Sequence, residues 1–161
     1  MLIFSYRLLQ VISFPIILFI GLIRIYNKKE NYSSYTQKVF SSQNYKKICK
    51  SDYLIHFASI GELNSIKFLI ERLDNNKIVL SCSTLSSFEI SKKKYPNLFC
   101  IFLPIDLFWN VNKFLSKTNF KKILWIDSEI WPNWLLISNQ KNLKNILING
   151  RISDKSYGRW S

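Results

Sequence analysis

From residue 52 onward, short apolar runs alternate with segments that have helical periodicity. The apolar runs occupy residues 53–59, 77–83, 97–104, 121–127 and 145–150. Residues 62–73 are typical of a helix, because apolar side chains recur at positions 63, 66, 69, 70 and 73. Residues 86–95 and 107–118 are predicted as further helices, and residues 133–140 continue the series. This alternation predicts an α/β fold, a parallel sheet with helices on both faces.

Polar or acidic residues follow each predicted strand at once. In chain order these are Ser59, Gly61 and Glu62; Ser83 and Thr84; Pro104 and Asp106; Asp127 and Glu129; and Asn149 and Arg151. Because the carboxyl ends of parallel strands lie along one edge of a sheet, where such folds bind ligands, we expect these side chains to converge on one crevice. Acids just before Pro132 would also suit the start of a helix, which explains one position but not the repetition.

The first segment, residues 1–26, is strongly apolar and carries no charge between Arg7 and Arg24. Those residues would form a helix about 24 Å long, somewhat short of a hydrocarbon core of about 30 Å. Snorkelling by the flanking arginines, or a shallow oblique insertion, could make up the difference. Arg24, Lys28 and Lys29 follow the apolar stretch where a signal peptide would have small residues. The segment predicts an uncleaved membrane-anchoring helix with the remaining chain on the cytoplasmic side. An ordinary core helix is the alternative.

The chain is basic, with 23 Lys and Arg against 10 Asp and Glu and a formal charge of +13. This charge indicates an anionic partner, which could be nucleic acid, a phospholipid surface or a phosphorylated substrate. Residues 27–51 are polar and basic, and they predict a linker with one short surface helix beside an anionic leaflet. The apolar first segment and the convergent acids argue against nucleic acid.

Cysteine spacing indicates neither a zinc site nor a disulfide framework. Cys49, Cys82 and Cys100 lie far apart, without paired spacing or clustered histidines. We expect buried thiols in a reducing compartment, and no metal or cofactor.

Three motifs in order resemble the amino-terminal half of the Kdo transferases, which add 3-deoxy-D-manno-octulosonic acid (Kdo) from CMP-Kdo to the lipid A precursor. The motifs are HFASIGELNSIKFLIERL (56–73), SEIWPN (128–133) and NGRISDKSYGRW (149–160). The resemblance implies a Rossmann-like domain, the amino-terminal half of a two-domain glycosyltransferase of the GT-B type. It also implies a location on the cytoplasmic face of the bacterial inner membrane, in lipopolysaccharide biosynthesis.

Within the resemblance, the turn Ser59-Ile60-Gly61-Glu62 matches the family's Ser-x-Gly-Glu. The resemblance assigns Glu62 the role of general base in a single inverting displacement, in which a sugar hydroxyl of the acceptor attacks the anomeric carbon. A glycine at position 61 would let backbone and sugar approach closely. Taken without the resemblance, Glu62 is a helix-start acid.

The remaining motif residues are expected to bind or orient substrate. Asp127 replaces the first glutamate of the family's Glu-x-Glu-Leu-Trp-Pro-Asn, whereas Glu129 keeps its identity and is expected to orient the acceptor or the loop of Glu62. Arg151, in a match to Asn-Ala-Arg-Leu-Ser that includes Asn149, would bind a phosphate or the Kdo carboxylate, or else form a salt bridge to one of those acids. Ser83 and Thr84 fall where the family has a threonine-rich turn. Trp131 is expected in the core rather than stacked on a sugar, and His56 is expected to be a packed residue.

The resulting domain organisation is a membrane helix (1–26), a basic linker (27–51) and a glycosyltransferase domain (52–161) that we expect to be incomplete at its carboxyl end. Expected partners are CMP-Kdo, held mainly by a second domain, the lipid A precursor and an anionic membrane surface, with no nucleic acid. One alternative is a catalytically inactive, membrane-attached module that binds the acceptor. Another is a half-enzyme that needs a partner chain.

Overall fold

The computed structural model describes residues 2–74, 77–127, 131–150 and 158. Its elements, in chain order, are α1 (Leu2–Tyr26), α2 (Tyr32–Phe40), α3 (Tyr45–Ile48), β1 (Tyr53–Phe57), α4 (Ile60–Ser65), α5 (Lys67–Arg72), β2 (Ile78–Cys82), α6 (Leu85–Lys94), β3 (Phe99–Phe102), α7 (Phe108–Ser116), β4 (Lys122–Ile126), α8 (Pro132–Gln140) and β5 (Lys144–Ile148).

The five strands form one sheet in the order β3-β2-β1-β4-β5, and every neighbouring pair is parallel. The chain therefore builds outward from β1 to β3 on one side, then returns to place β4 and β5 on the other side of β1. The point between β1 and β4 is where the strand order reverses, which is the usual ligand position in such sheets. The predicted α/β fold with a parallel sheet is confirmed.

Alternation along the strands builds one core on each face of the sheet. On β1, Leu54 joins a cluster with α3, α7 and α8, whereas Ile55 and Phe57 join a second cluster with α4, α5 and α6. Both faces are therefore covered by helices, as the continuous apolar strands predict. Cys82 and Cys100 are buried in the second cluster, as expected for structural thiols, whereas Cys49 is only half-buried.

The helix predicted over residues 62–73 is interrupted at Ile66, which separates α4 from α5. Asn64 and Ser65 are weak helix formers, and the Ser65 hydroxyl donates to the Glu62 carbonyl oxygen at 2.7 Å. Such a bond from a side chain competes with the main-chain bond of the next helical turn. The two short helices still present Leu63, Ile66 and Ile70 to the sheet, so the apolar periodicity survives the break.

Residues 27–51 differ from the expected linker with one surface helix. The segment contains both α2 and α3, and Tyr35, Val39 and Ile48 are buried. Two glutamines from this segment form hydrogen bonds with main-chain groups of β3, which is an edge strand of the sheet. The Gln37 side-chain oxygen accepts from the Phe102 N–H at 3.1 Å, and the Gln43 amide donates to the Phe102 carbonyl at 3.0 Å. The segment therefore covers a sheet edge that would otherwise expose main-chain groups.

Helix α1 packs against the domain through one stripe of its side chains. Phe14 meets Trp109 edge to face, with ring centroids 5.3 Å apart, and a Cβ added at Gly21 would lie 2.1 Å from the Tyr35 ring. The opposite face of α1 carries large exposed apolar side chains, among them Phe4, Leu8, Ile12, Ile16 and Phe19. Within the described residues α1 is the one helix long and apolar enough to cross a membrane, so it could be a membrane anchor.

Trp134 provides a test of the first core cluster. It is fully buried, its ring packs against Phe114 and Trp125, and its indole N–H donates to the Pro104 carbonyl at 3.1 Å. Trp134→Ala should lower the free energy of unfolding by about 3–5 kcal/mol, because it leaves a cavity and an unsatisfied carbonyl. Denaturant titration followed by circular dichroism measures this loss. Leu136→Ala on the same helix, where the side chain is 40% exposed, is the control and should cost much less.

Candidate active site

The sequence-predicted site residues that the structure describes all lie at the carboxyl edge of the sheet. Ser59, Gly61 and Glu62 follow β1, Ser83 and Thr84 follow β2, Asp127 follows β4, and Asn149 follows β5. Glu62 and Asp127 therefore follow the two strands that flank the reversal of strand order. Glu129 and Arg151 lie outside the described residues.

Glu62 is held in place by the start of α4. Its Oε2 accepts from the Ala58 N–H at 2.7 Å and its Oε1 accepts from the Ser59 hydroxyl at 2.9 Å, while Ser59 Oγ accepts from the Glu62 N–H at 3.2 Å. This arrangement is a variant of the capping box, in which Ser at the N-cap and Glu three residues later satisfy the first N–H groups of a helix. A carboxylate has about four acceptor positions, so Glu62 keeps capacity for a further donor.

Gly61 is not required by the turn itself. Its φ is not positive, and a Cβ placed there would lie 3.8 Å from Ser59 Oγ, an ordinary contact. The residue is also exposed. Neither strain nor packing within the described structure therefore accounts for a glycine at this position.

Asp127 and Asn149 meet across the ends of β4 and β5. The Asn149 side-chain amide donates to Asp127 Oδ1 at 2.5 Å, and both residues have a left-handed backbone, with φ of 58° and 56°. Asp and Asn are among the few residues that adopt this conformation readily. The pair fixes the direction of the Asp127 carboxylate at the edge, next to the end of β1.

Ser83 and Thr84 have different roles in the structure. Thr84 is the N-cap of α6, since its side chain accepts from the Ser87 N–H at 3.2 Å. Ser83 is placed deeper: its carbonyl accepts from Lys38 Nζ at 2.6 Å and its hydroxyl lies 3.5 Å from His56 Nε2. His56 is fully buried and its ring meets Trp125 at 5.7 Å, which confirms the expected packed histidine.

The two tryptophans of the WPNW stretch lie in different environments. The prediction that Trp131 is a core anchor is wrong, because its side chain is 40% exposed at the start of α8. Trp134 is the anchor instead. Pro132 occupies the first helical turn, and Trp134 packs in the first core cluster, whereas Trp131 precedes the helix and is partly exposed.

Asp106 has a role that the sequence pattern did not reveal. Its carboxylate caps α8 from outside the helix: Oδ2 accepts from the Asn133 N–H at 3.1 Å and Oδ1 from the Trp134 N–H at 2.9 Å. The Tyr6 hydroxyl of α1 donates to Oδ2 at 2.8 Å, and Gln10 donates to the Asp106 carbonyl at 2.6 Å. Asp106 therefore joins α1, α8 and the end of β3. Within the described residues no cluster of His, Cys, Asp and Glu could hold a metal ion.

Asp106 should make the stability of the protein depend on pH. Burial raises the pKa of the Asp106 carboxyl above its ordinary 3.8, although the N–H groups of Asn133 and Trp134 and the Tyr6 hydroxyl oppose the shift. Because the folded pKa is raised, this group contributes stability that is fully present below pH 3.8 and is lost as pH rises through the folded value. The free energy of unfolding of the wild type, relative to that of Asp106→Asn, should therefore decline as pH rises from 3.8 through the folded pKa. A difference between the two unfolding free energies that stayed constant with pH would contradict the assignment.

Comparisons with known proteins identify the chain's relatives. Residues 27–161 match the model of the family described as 3-deoxy-D-manno-octulosonic-acid transferase (kdotransferase). A bifunctional glycosyltransferase/methyltransferase of Fusobacterium nucleatum is 32% identical over 82% of this chain and 22% of its own length. A 3-deoxy-D-manno-octulosonic acid transferase of Rickettsia typhi is 34% identical over 66% of this chain and 24% of its own, and one of Haemophilus influenzae is 26% identical over 98% and 38%.

The chain thus spans between about a fifth and two fifths of the length of these curated relatives. The match to the family model, in contrast, covers most of the chain and includes all five strands and the motif residues at their ends. By this match, the chain belongs to the 3-deoxy-D-manno-octulosonic-acid transferase family of glycosyltransferases.

Proposed function

We propose that this chain is the acceptor-side domain of an enzyme that transfers Kdo from CMP-Kdo to the lipid A precursor. The observation that carries the proposal is the position of Glu62, fixed beside the reversal of strand order in a chain that belongs to this family. CMP-Kdo is held mainly by a second domain, on the same polypeptide or on a partner.

In the proposed reaction Glu62 acts as general base. An acceptor hydroxyl attacks the anomeric carbon of Kdo from the face opposite CMP, the new C–O bond forms as the bond to the CMP phosphate breaks, and the hydroxyl proton passes to Glu62. The bonds from Ala58 and Ser59 fix the carboxylate but leave it acceptor capacity, and position is what a general base needs first. Gly61 is exposed and has no Cβ, which lets the sugar approach the backbone beside Glu62.

The other motif residues complete the site in this proposal. Asp127, held by Asn149, faces the acceptor from the β4 side of the same edge. Glu129 orients the acceptor or the loop of Glu62. Arg151 pairs with the phosphate of CMP or with the Kdo carboxylate, because its planar guanidinium can bind two oxygens at once.

We further propose that α1 lies in the surface of the cytoplasmic leaflet of the inner membrane rather than crossing it. Contacts with the domain occur near both ends of the helix, through Tyr6 and Gln10 at one end and Gly21 at the other. A helix held along its length cannot cross a bilayer while the domain stays in water. Its exposed apolar face is suited to the boundary between headgroups and acyl chains.

The role of Glu62 is tested by Glu62→Gln in a chimera in which this chain replaces the matching part of the Haemophilus influenzae relative. Gln also serves at this capping position, so the fold should be kept, whereas transfer should fall about 10²-fold or more because the base is lost. The measurement is the rate of Kdo transfer from CMP-Kdo to a lipid A precursor in vesicles.

Glu71→Gln is the matched control, since Glu71 is an exposed acid of α5 that pairs with Lys67. It should leave the rate unchanged. Full transfer by Glu62→Gln would remove this residue from the mechanism, and an inactive wild-type chimera that still binds the acceptor would favour a silent acceptor-binding module.

The position of α1 is tested by flotation with anionic vesicles. Phe19→Glu places a charge on the exposed apolar face, where the side chain is 64% exposed, and should strongly weaken vesicle binding. Phe68→Glu on α5, where the side chain is 61% exposed, should have little effect. Equal binding by both variants would contradict the proposed membrane face.

A further inference from the structure

A cavity of about 330 Å³ lies between α1, α2 and the carboxyl edge of the sheet. Its walls are mainly apolar and come from three parts of the chain that are distant in sequence. Ile17 and Ile20 belong to α1, Val39 to α2, and Leu103, Pro104 and Ile105 to the segment after β3. Glu62 and Asp127 are not among the lining residues, so the cavity is distinct from the proposed catalytic edge, which it adjoins at Ser83.

Basic groups lie at the polar part of this cavity. Arg24 and Lys38 both line it and both bind Glu30, at 3.3 Å and 2.6 Å. The Glu30 side chain is 5% exposed, and it also accepts a hydrogen bond from the Ser34 hydroxyl. One carboxylate thus faces two cations here. The other lining carboxylate, Asp106, is bound to the N-terminus of α8, whose dipole offsets part of its charge.

Arg24 is placed to bind an anion at the rim. Its side chain is about half exposed, and the contact with Glu30 uses one of the five N–H donors of its guanidinium. The remaining donors match the oxygens of a phosphate group. Ile20 and Trp131 line the cavity and are exposed as well, which places an opening beside the apolar face of α1.

We propose that this cavity binds one acyl chain of a phosphate-bearing lipid, with the phosphate held at Arg24. Apolar walls favour the chain, the cationic rim favours the phosphate, and the opening lies beside the helix face that is itself suited to a membrane. The identification of this lipid as the acceptor rests on the proposed function, whereas lipid binding itself does not. The cavity then holds the acceptor by one chain while its sugar reaches the edge at Glu62.

Photo-crosslinking of the full chain tests the proposal. The probe is phosphatidic acid with a diazirine in one acyl chain, incorporated in phosphatidylcholine vesicles. Mass spectrometry should find labelled Val39, Leu103 or Ile105, which lie beneath α1, as well as the exposed face of α1. Labelling confined to the exposed face of α1 would overturn the proposal.

Two neighbouring substitutions on α1 separate the cavity from the membrane surface. Ile17→Trp fills the cavity and should abolish labelling beneath α1 while the exposed face stays labelled. Ile16→Trp is the matched control, because Ile16 is 60% exposed and is absent from the cavity lining, and its labelling pattern should equal that of the wild type. Unchanged labelling beneath α1 in the Ile17 variant would count against the cavity, and circular dichroism of both variants checks that they fold.

The phosphate at Arg24 is tested by comparing probes. Phosphatidic acid should label the cavity residues about fivefold more than a neutral diglyceride with the same diazirine chain, and Arg24→Gln should remove that preference. Lys28→Gln, an exposed lysine just after α1, is the control and should keep it. Equal labelling by the two probes in the wild type would overturn the phosphate assignment. Because the assay involves no sugar transfer, its outcome is independent of whether the chain supports catalysis.

Discussion

A carboxylate that is removed from water must find its hydrogen-bond donors within the protein, and Asp106 finds them on two helices. The main-chain N–H groups of Asn133 and Trp134 start α8, and the Tyr6 hydroxyl belongs to α1. The same cluster includes the buried Asn133 side chain, which donates to the Asp106 carbonyl and to Gln10. This set of bonds fixes where α8 begins and where the apolar first helix lies. The cavity exists because α1 is held at that place.

The carboxyl edge of the sheet has to satisfy helix N-termini as well as any ligand. Ser59 caps α4, Thr84 caps α6 and Asp106 caps α8. Several of the polar residues at strand ends therefore have a structural role. Capping does not exclude a chemical role, because a side chain that is already held has less freedom to lose when a ligand arrives. Glu62 illustrates both demands: two hydrogen bonds position its carboxylate, and acceptor capacity remains.

The proposed site therefore has two unlike parts along one edge. The part between β1 and β4 is polar, with Glu62 and the Asp127–Asn149 pair near the surface. The part between β3 and α1 is a mainly apolar cavity with a cationic rim. The acceptor lipid that we propose is itself divided into a sugar head and acyl chains, which is why the proposal assigns the head to the polar part and a chain to the cavity. Ser83 lies where the two parts meet, held by Lys38 and close to His56.

The sequence by itself determined the strands, most of the helices and the edge at which polar residues gather, because these depend on the local alternation of apolar and polar side chains. The motifs likewise placed Glu62 at a turn after a buried strand. What the tertiary structure decided rests on contacts between residues far apart in the chain, which no local pattern encodes. Such contacts packed residues 27–51 against β3 and brought Trp134 rather than Trp131 into the core. The sequence pattern placed Asp106 among the residues of the ligand crevice, whereas in the structure it caps α8 and binds α1. A buried carboxylate accepts from the donors that the fold brings within reach.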